Sequence, residues 1–277
     1  MDHMDFREIG KLVSEDRLSI EYLWKKRGNT VCPHCESPEF YYQQRWRLRC
    51  KGCKKDYWPL QGTRFTLLRI SPSQWLSLIK LFELSTSARK ASQEVHLSYK
   101  TTLRAFDILR RVLVEELAKT DDILKGELEA DEAYFGGRRK GNRGRGAGGK
   151  TIVYGILERG GRVSVSIVED VSAESLMTET VKRVRRGSIV YTDKWRGYDS
   201  LMFCGYKHLN IDHRYKFKQG KVYINGIEGF WSFAKERLIK HHGISRTKFL
   251  FYIKEMEWRY NNRGKDLFEV LVDLMLY

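Results

Sequence analysis

The spacing of apolar residues changes several times along this chain, and each change predicts a different kind of unit. The first stretch, MDHMDFREIGKLVSEDRL, interleaves acids with apolar positions and predicts a helical leader over residues 1–30. All four prolines, Pro33, Pro38, Pro59 and Pro72, lie within the first 72 residues, so a loop-rich head over 31–60 precedes the packed units. From Ser71 the period is helical: SPSQWLSLIKLFELS opens on a Ser cap and an early Pro and buries Trp75, Leu78, Ile79 and Phe82. Two more helices are predicted near 87–95 and 99–119. From Glu127 the period turns to that of strands, in ELEADEAYF, TIVYGILE, RVSVSIVE and SIVYTD, with the helical stretch SAESLMTETVKRVRR before the last. Strands first paired antiparallel and then joined through a helix predict a mixed α/β sheet. Residues 225–277 return to helix, with Phe249, Ile253, Met256 and Tyr260 on one stripe and a stop at Asn261, Asn262 and Gly264. The sheet and these last helices together predict one domain over 124–277.

Composition narrows the partner. The chain has 277 residues, with 51 Lys plus Arg against 35 Asp plus Glu, a formal net charge of +16. Such a balance calls for a polyanion. A ribosomal protein or an anionic membrane surface would share the charge, but no apolar run reaches the roughly 18 residues of a spanning helix, and the amino terminus lacks the apolar core of a secretory signal. A cytoplasmic protein is expected.

Four of the five cysteines fall within 22 residues, as C-x2-C at Cys32 and Cys35, fourteen residues, then C-x2-C at Cys50 and Cys53. Two such knuckles close one tetrahedral thiolate site, and the aromatic segment between them, FYYQQRWRLRC, predicts a hairpin. Free buried cysteines or two redox pairs are the alternatives. With four protein ligands the expected ion is one structural zinc. Cys204 stands apart and reads as a small buried hydrophobe.

Within STSARKASQEVHLSYKTTLRAFDILRR, a short helix, a turn at His96 and Leu97 and a Ser-capped second helix fit a helix-turn-helix over 71–120. Lys100, Thr101 and Arg104 would face a major groove. A three-helix packing module with solvated basic residues would give the same pattern. The tract GGRRKGNRGRGAGGK, residues 136–150, holds six basic residues, seven glycines and no acid. Its G-x-G-x-x-G runs into a strand rather than opening a helix, so it is no dinucleotide fingerprint. A phosphate-clinging arm through Arg138, Arg139 and Lys140, or an ordinary loop, are the two readings.

Three acids are unusually located. Asp131 interrupts an apolar strand, Asp193 ends another just before the turn KWRGY, and Glu228 lies beside the apolar stripe Ile227, Phe230, Trp231, Ala234 and Leu238. Glu228, Ser232 and Lys235 would share a row one step round that stripe. Three converging carboxylates with no nucleophile beside them suit two hard divalent ions, magnesium or manganese, about 3.5 to 4 Å apart, that clamp a scissile phosphate. Strand-edge acids and a helical Glu228–Lys235 pair would be the structural alternative.

At ADEAYFGG (130–137), YTDKWRGY (191–198), INGIEGFWSFAKERL (224–238) and EMEWRYNNR (255–263) the sequence resembles the zinc-ribbon transposases of bacterial insertion sequences, of the ISXO-like (IS1595-type) group. The likeness in order and spacing extends over nearly the whole chain, more loosely through the helical segment. It implies a ribonuclease H-like catalytic domain in which Asp131, Asp193 and Glu228 form the DDE triad, with 34 residues between the second Asp and the Glu, and Lys235 contacts DNA. It also assigns the four cysteines to an amino-terminal zinc ribbon. The family often carries Asn before the His at the position of His213, where this chain has Asp212, and neither His208 nor His213 is given a role. The resemblance implies a transposase that binds terminal inverted repeats, exposes 3′-hydroxyls and joins them to target DNA, acting as a dimer or larger assembly on DNA. A ribonuclease H-superfamily nuclease or resolvase without joining, and a domesticated regulator that binds DNA without cutting it, are the alternatives.

Overall fold

The computed structural model describes residues 4–28, 30–119, 123–136, 150–193, 205–241 except 212–222, and 243–277. The chain forms two compact units, one from residues 1–116 with 264–277 and one from 117–263.

In the first unit, helices α1 (Phe6–Val13) and α2 (Asp16–Lys26) precede a three-stranded antiparallel sheet of β1 (Phe40–Gln43), β2 (Arg47–Cys50) and β3 (Asp56–Tyr57). Then come α3 (Pro72–Glu83), α4 (Ala88–Glu94) and α5 (Tyr99–Lys119). Local chemistry sets these boundaries. Asp5 and Glu8 form a reciprocal cap on α1, and Ser71 and Gln74 do so on α3 with Pro72 in its first turn. Trp75, Leu76, Leu78, Ile79 and Phe82 on α3 are buried as their spacing predicts.

The carboxyl-terminal helix α9 (Leu267–Leu276) belongs to this first unit, not to the 124–277 domain expected from the sequence. Its apolar residues Phe268, Leu271, Val272, Met275 and Leu276 are all buried. Lys26 pairs with Glu269 at 2.6 Å and Asp273 at 3.0 Å, Tyr22 donates to Glu269 at 2.6 Å, and Arg64 donates to the Leu274 carbonyl at 2.6 Å. A helical period shows that α9 has a face to bury; it carries no sign of which unit buries it.

The second unit is a five-stranded mixed sheet of β4 (Glu127–Phe135), β5 (Thr151–Glu158), β6 (Val163–Val168), β7 (Ile189–Asp193) and β8 (Lys207–Ile211), in the order β6-β5-β4-β7-β8. β4, β5 and β6 form an antiparallel meander, α6 (Ala173–Arg183) crosses over, and β7 and β8 run parallel to β4. This is the ribonuclease H-like arrangement expected above; β8 is an added strand whose apolar pattern was too short to declare itself. One face packs Leu128, Ala130, Tyr154, Ile156 and Val190 with Leu176 of α6. The other packs Ala133, Val153, Leu157 and Tyr191 under α7 (Asn225–Leu238) and α8 (Arg246–Asn261).

The polar residues of EMEWRYNNR close an exposed sheet edge. Glu257 Oε2 accepts the Val165 amide at 3.1 Å, and Asn261 accepts the Val163 amide at 2.8 Å while donating to the Val163 carbonyl at 2.9 Å. Side chains of α8 thus pair with β6 as a further strand would, which removes the free edge that invites aggregation.

Candidate functional site

β4 carries acids at alternate positions, Glu127, Glu129 and Asp131, and a strand's two-residue period turns all three toward α7. The parallel register sets Glu127 opposite Ile189 and Glu129 opposite Tyr191, so two residues further along Asp131 lies beside Asp193, the last residue of β7. Acids on adjacent strands repel, and this one is also desolvated. Burial first, then the charges of Glu132 and Asp193, push the Asp131 carboxyl up to about 7, against the pull of the Trp231 indole and a backbone amide. Hard oxygen donors that repel one another, at the carboxyl end of a parallel strand, are the donor set a divalent ion would satisfy.

The other two acids of this face have an internal cation. Arg159 donates Nε to Glu129 at 3.1 Å, Nη1 to Glu127 at 2.8 Å and Nη2 to the Tyr223 carbonyl at 2.6 Å. Its guanidinium lies 3.7 Å from the Tyr191 ring centroid and 4.0 Å from that of Tyr223. Tyr191 adds a hydroxyl to Glu127 at 3.1 Å. On this face of β4 the arginine therefore engages Glu127 and Glu129, while Asp131 lies beside Asp193 of β7.

α7 lies over this face, and the predicted stripe Ile227, Phe230, Trp231, Ala234 and Leu238 is buried. Glu228, Ser232 and Lys235 form the expected exposed row. Trp231 donates its indole N–H to Asp131 Oδ2 at 3.1 Å, which sets Glu228 one turn from the aspartate pair. The structure thus brings Asp131 and Asp193 together and puts Glu228 on the neighbouring helix face. The three carboxylates are not a closed chelate: among the described residues, only the four cysteines gather three or more ligand atoms within 4.8 Å. His208 on β8 shares a hydrogen bond of 2.8 Å with Thr192.

In the first unit all four thiols meet. Cys32 and Cys53 sulfurs are 3.8 Å apart, those of Cys35 and Cys50 are 3.4 Å apart, and all four lie within 4.8 Å. Zinc–sulfur bonds of about 2.3 Å imply sulfurs about 3.8 Å apart in a tetrahedron, so the cluster fits one zinc. The knuckles are matched: the amides of Glu36 and Lys54 return to the carbonyls of Cys32 and Cys50 at 2.9 and 3.1 Å, with Glu36 at φ 58° and Lys54 at φ 60°. Burial raises the Cys50 thiol, but hydrogen bonds from the Cys53 amide and from Cys35 and Cys32 outweigh it and bring it down, while at Cys53 the pull of the Lys55 amide is outweighed by burial and the other three thiols, so the four sulfurs share their protons unevenly.

α4 and α5 are joined by a turn with His96 at φ 52°, and Ser98 caps α5 through the Thr101 amide at 3.1 Å. Lys100 and Arg104 are exposed on the first turns of α5; Thr101 is half-buried and its hydroxyl contacts Ser98 at 2.8 Å. Arg138, Arg139 and Lys140, with Cys204 and His213, lie outside the described residues.

Sequence reasoning missed Glu129, Arg159, Gly155 and Gly226. The alternation Glu-x-Glu-x-Asp along β4 was the available signal: three acids on one face of a strand that also carries core residues need partners. The glycines make the approach of α7 possible. A Cβ on Gly155 would stand 2.6 Å from the Trp231 ring, and one on Gly226 would stand 2.8 Å from Glu129 Oε2.

The ISXO2-like transposase domain matches residues 123–261, which hold all of this acid face. The chain is 41% identical over 101 residues to a transposase-like protein of Haemophilus influenzae, covering 36% of this chain and 82% of that one. It is 26% identical to a protein in the transposable element ISH50 of Halobacterium salinarum, over 97% of this chain and 99% of that one. Among solved structures, the catalytic core domain of BIV integrase aligns with 51% of this chain and 86% of that one at 12% identity and a TM-score of 0.35. The Mos1 transposase paired-end complex with left transposon end aligns with 72% and 74% at 11% identity and a TM-score of 0.31. No described helix is long and apolar enough to cross a membrane.

Proposed function

The chain belongs to the ISXO2-like transposase family, and from that premise we propose that it binds the terminal inverted repeats of its own element, cleaves DNA to expose 3′-hydroxyls and joins them to target DNA. The observation that carries this reading is the pairing of Asp131 with Asp193 on adjacent parallel strands, where burial and the neighbouring acids raise the Asp131 carboxyl.

Asp131 and Asp193 would hold two divalent ions, magnesium or manganese, with Glu228 completing the ligand set from α7. Ions bound there supply a lowered pKa for the attacking water or 3′-hydroxyl and charge stabilisation for the leaving oxygen. The chain's own residues do the positioning. Trp231 fixes the Asp131 carboxylate, and Lys235, two turns along the exposed row from Glu228, would hold the phosphate backbone. Glu228 is exposed and free to swing inward once a cation removes the repulsion between the acids. The zinc ribbon and the exposed Lys100 and Arg104 of α5 would hold the ends, with Arg138, Arg139 and Lys140 reaching phosphates as a basic arm. A dimer or larger assembly would hold two ends together.

The test is incubation of the purified protein with a precut end taken from the DNA flanking its gene, a supercoiled plasmid and magnesium, scored for joined product. Joining that is lost in Asp131→Asn, Asp193→Asn and Glu228→Gln, with end binding retained, is the expected result. Hydrolysis without joining would make the protein a nuclease instead, and joining by any one of the variants would remove that residue from the mechanism.

A further inference from the structure

We propose that Glu129 is a positioning residue: from the strand beneath, it caps the first turn of α7 and so sets Glu228 against the Asp131–Asp193 pair. The inference rests on the triad reading given above for Glu228.

Glu129 is 1% exposed, a burial that an acid sustains only with strong partners. Both its oxygens are engaged. Oε1 takes the Arg159 Nε–H at 3.1 Å and Oε2 takes the Ile227 amide at 3.0 Å. That second bond falls where the helix needs it. α7 starts at Asn225, and its N-cap residue Ile224 makes no side-chain cap bond, so the cap position itself supplies no acceptor for the first amides of the helix. Glu129 supplies one from another element and adds a negative charge at the positive end of the helix. Gly226 makes the approach possible, since any Cβ there would stand 2.8 Å from Oε2 and 3.0 Å from Leu157.

Glu228 follows directly on the capped residue. With Ile227 tied to Glu129 and Trp231 tied to Asp131, α7 is attached at two points to residues two apart on one strand. Two such points fix both the height and the rotation of the turn that carries Glu228. Arg159 is the ion-pair partner of Glu129 at 3.1 Å, and its bond to the Tyr223 carbonyl ties down the chain just before the helix. Glu129 is thereby distinguished from the metal-holding acids on its own strand: its oxygens are already occupied by an arginine and a helix terminus.

The test compares Glu129→Ala, which removes the acceptor, with Glu129→Gln, which keeps an oxygen for the Ile227 amide, in the full-length protein. Hydrogen exchange without metal is read over residues 224–231, and cleavage of the flanking-end duplex is read as kcat and KM. In Glu129→Ala, exchange in the first turn of α7 should rise at least about tenfold, and kcat should fall about 10- to 100-fold with KM for DNA within about twofold. Glu129→Gln should recover most of the protection and turnover. Should Glu129→Ala fail to fold, Gly226→Ala pushes the same carboxylate away and should give the same pair of changes. Native protection of α7 with wild-type kcat in a folded Glu129→Ala or Gly226→Ala protein would overturn the proposal, as would a loss confined to metal affinity that excess magnesium restores. A wild-type protein that never cleaves would defeat the triad reading, while the exchange contrast between the two Glu129 variants would still decide whether Glu129 sets α7.

Discussion

The Trp231 indole occupies the space in front of Gly155 that a side chain would fill, and from there donates to Asp131, the residue that faces Gly155 across the β4–β5 ladder. A methyl group at Gly155 would lie 2.6 Å from one ring carbon and 2.8 Å from the next. Gly155→Ala must therefore shift the ring or the strand, at a cost of about 1–3 kcal/mol as in other overpacked cores. The substitution is expected to lower stability in urea by that amount and to reduce cleavage more than DNA binding. Trp231→Phe should remove the donor and leave part of the space in front of Gly155 unfilled, so both its unfolding midpoint and its cleavage should fall. Equal activity in the two variants and wild type would show that the indole bond does not position Asp131.

Much of this architecture is legible in the chain, and the part that is not has a physical reason. The strands β4 to β7 and the stripe of α7 follow from period alone, because a residue's side of a strand or helix is set locally. The pairing of Asp131 with Asp193 needs a parallel register across 61 intervening positions, which no local rule supplies; strand position marked each acid singly, and the resemblance to a family joined them. Glu129 and Arg159 were hidden for a related reason. Glu129 reads singly as one strand acid among several and Arg159 as a solvated charge near a turn, and only the fold brings them to a common helix terminus. α9 shows the reverse limit, since its apolar face is plain while the surface that covers it lies in the other half of the chain.

The raised carboxyl of Asp131 gives a pH dependence with a definite sign. In the unfolded chain an Asp titrates near 3.9, whereas in the fold Asp131 titrates near about 7. Between those values the folded state binds the extra proton, so this residue's contribution is fully present below the lower value and is lost as pH rises through the upper one. The difference corresponds to a ceiling of about 4 kcal/mol, and solvent reaching the partly exposed carboxylate reduces it to about 1–3 kcal/mol. Metal-free protein should therefore melt at a lower temperature at pH 8 than at pH 5. Asp131→Asn should lack that component and be the more stable protein at pH 8. Magnesium should raise the wild-type melting temperature at pH 8 and leave Asp131→Asn nearly unchanged. A melting curve for metal-free Asp131→Asn that tracks wild type across this range would remove the charge argument for a cation site.

The cysteine cluster predicts a metal whose loss is local. β1 to β3 form a small sheet, and their segment cannot bury enough apolar surface to replace a tetrahedral zinc. Cys32→Ser with Cys35→Ser should eliminate the one zinc per chain measured by elemental analysis and raise hydrogen exchange across residues 31–57. The sheet of the second unit should keep its protection. Zinc-free protein with native exchange over 31–57 would refute a structural metal.

Exposed Lys100 and Arg104 on the first turns of α5 predict a salt signature that separates DNA contact from helix support. Each phosphate neutralised by a lysine or arginine releases condensed counterions, so the slope of log K against log salt should become shallower by about 0.9 for each contact removed on duplex DNA. Lys100→Ala and Arg104→Ala should each weaken end binding and flatten that slope. Thr101 is different, because its amide and hydroxyl are both engaged with Ser98 at the start of the helix. Thr101→Ala should keep the wild-type slope and lower helix stability by a few tenths of a kcal/mol to about 1 kcal/mol, the usual range for lost capping contacts. Lys182→Ala serves as the control, since that lysine pairs with Glu179 on α6 at 3.0 Å. If Lys100→Ala and Arg104→Ala leave the slope where Lys182→Ala leaves it, α4 and α5 are a packing module and the ends are held elsewhere.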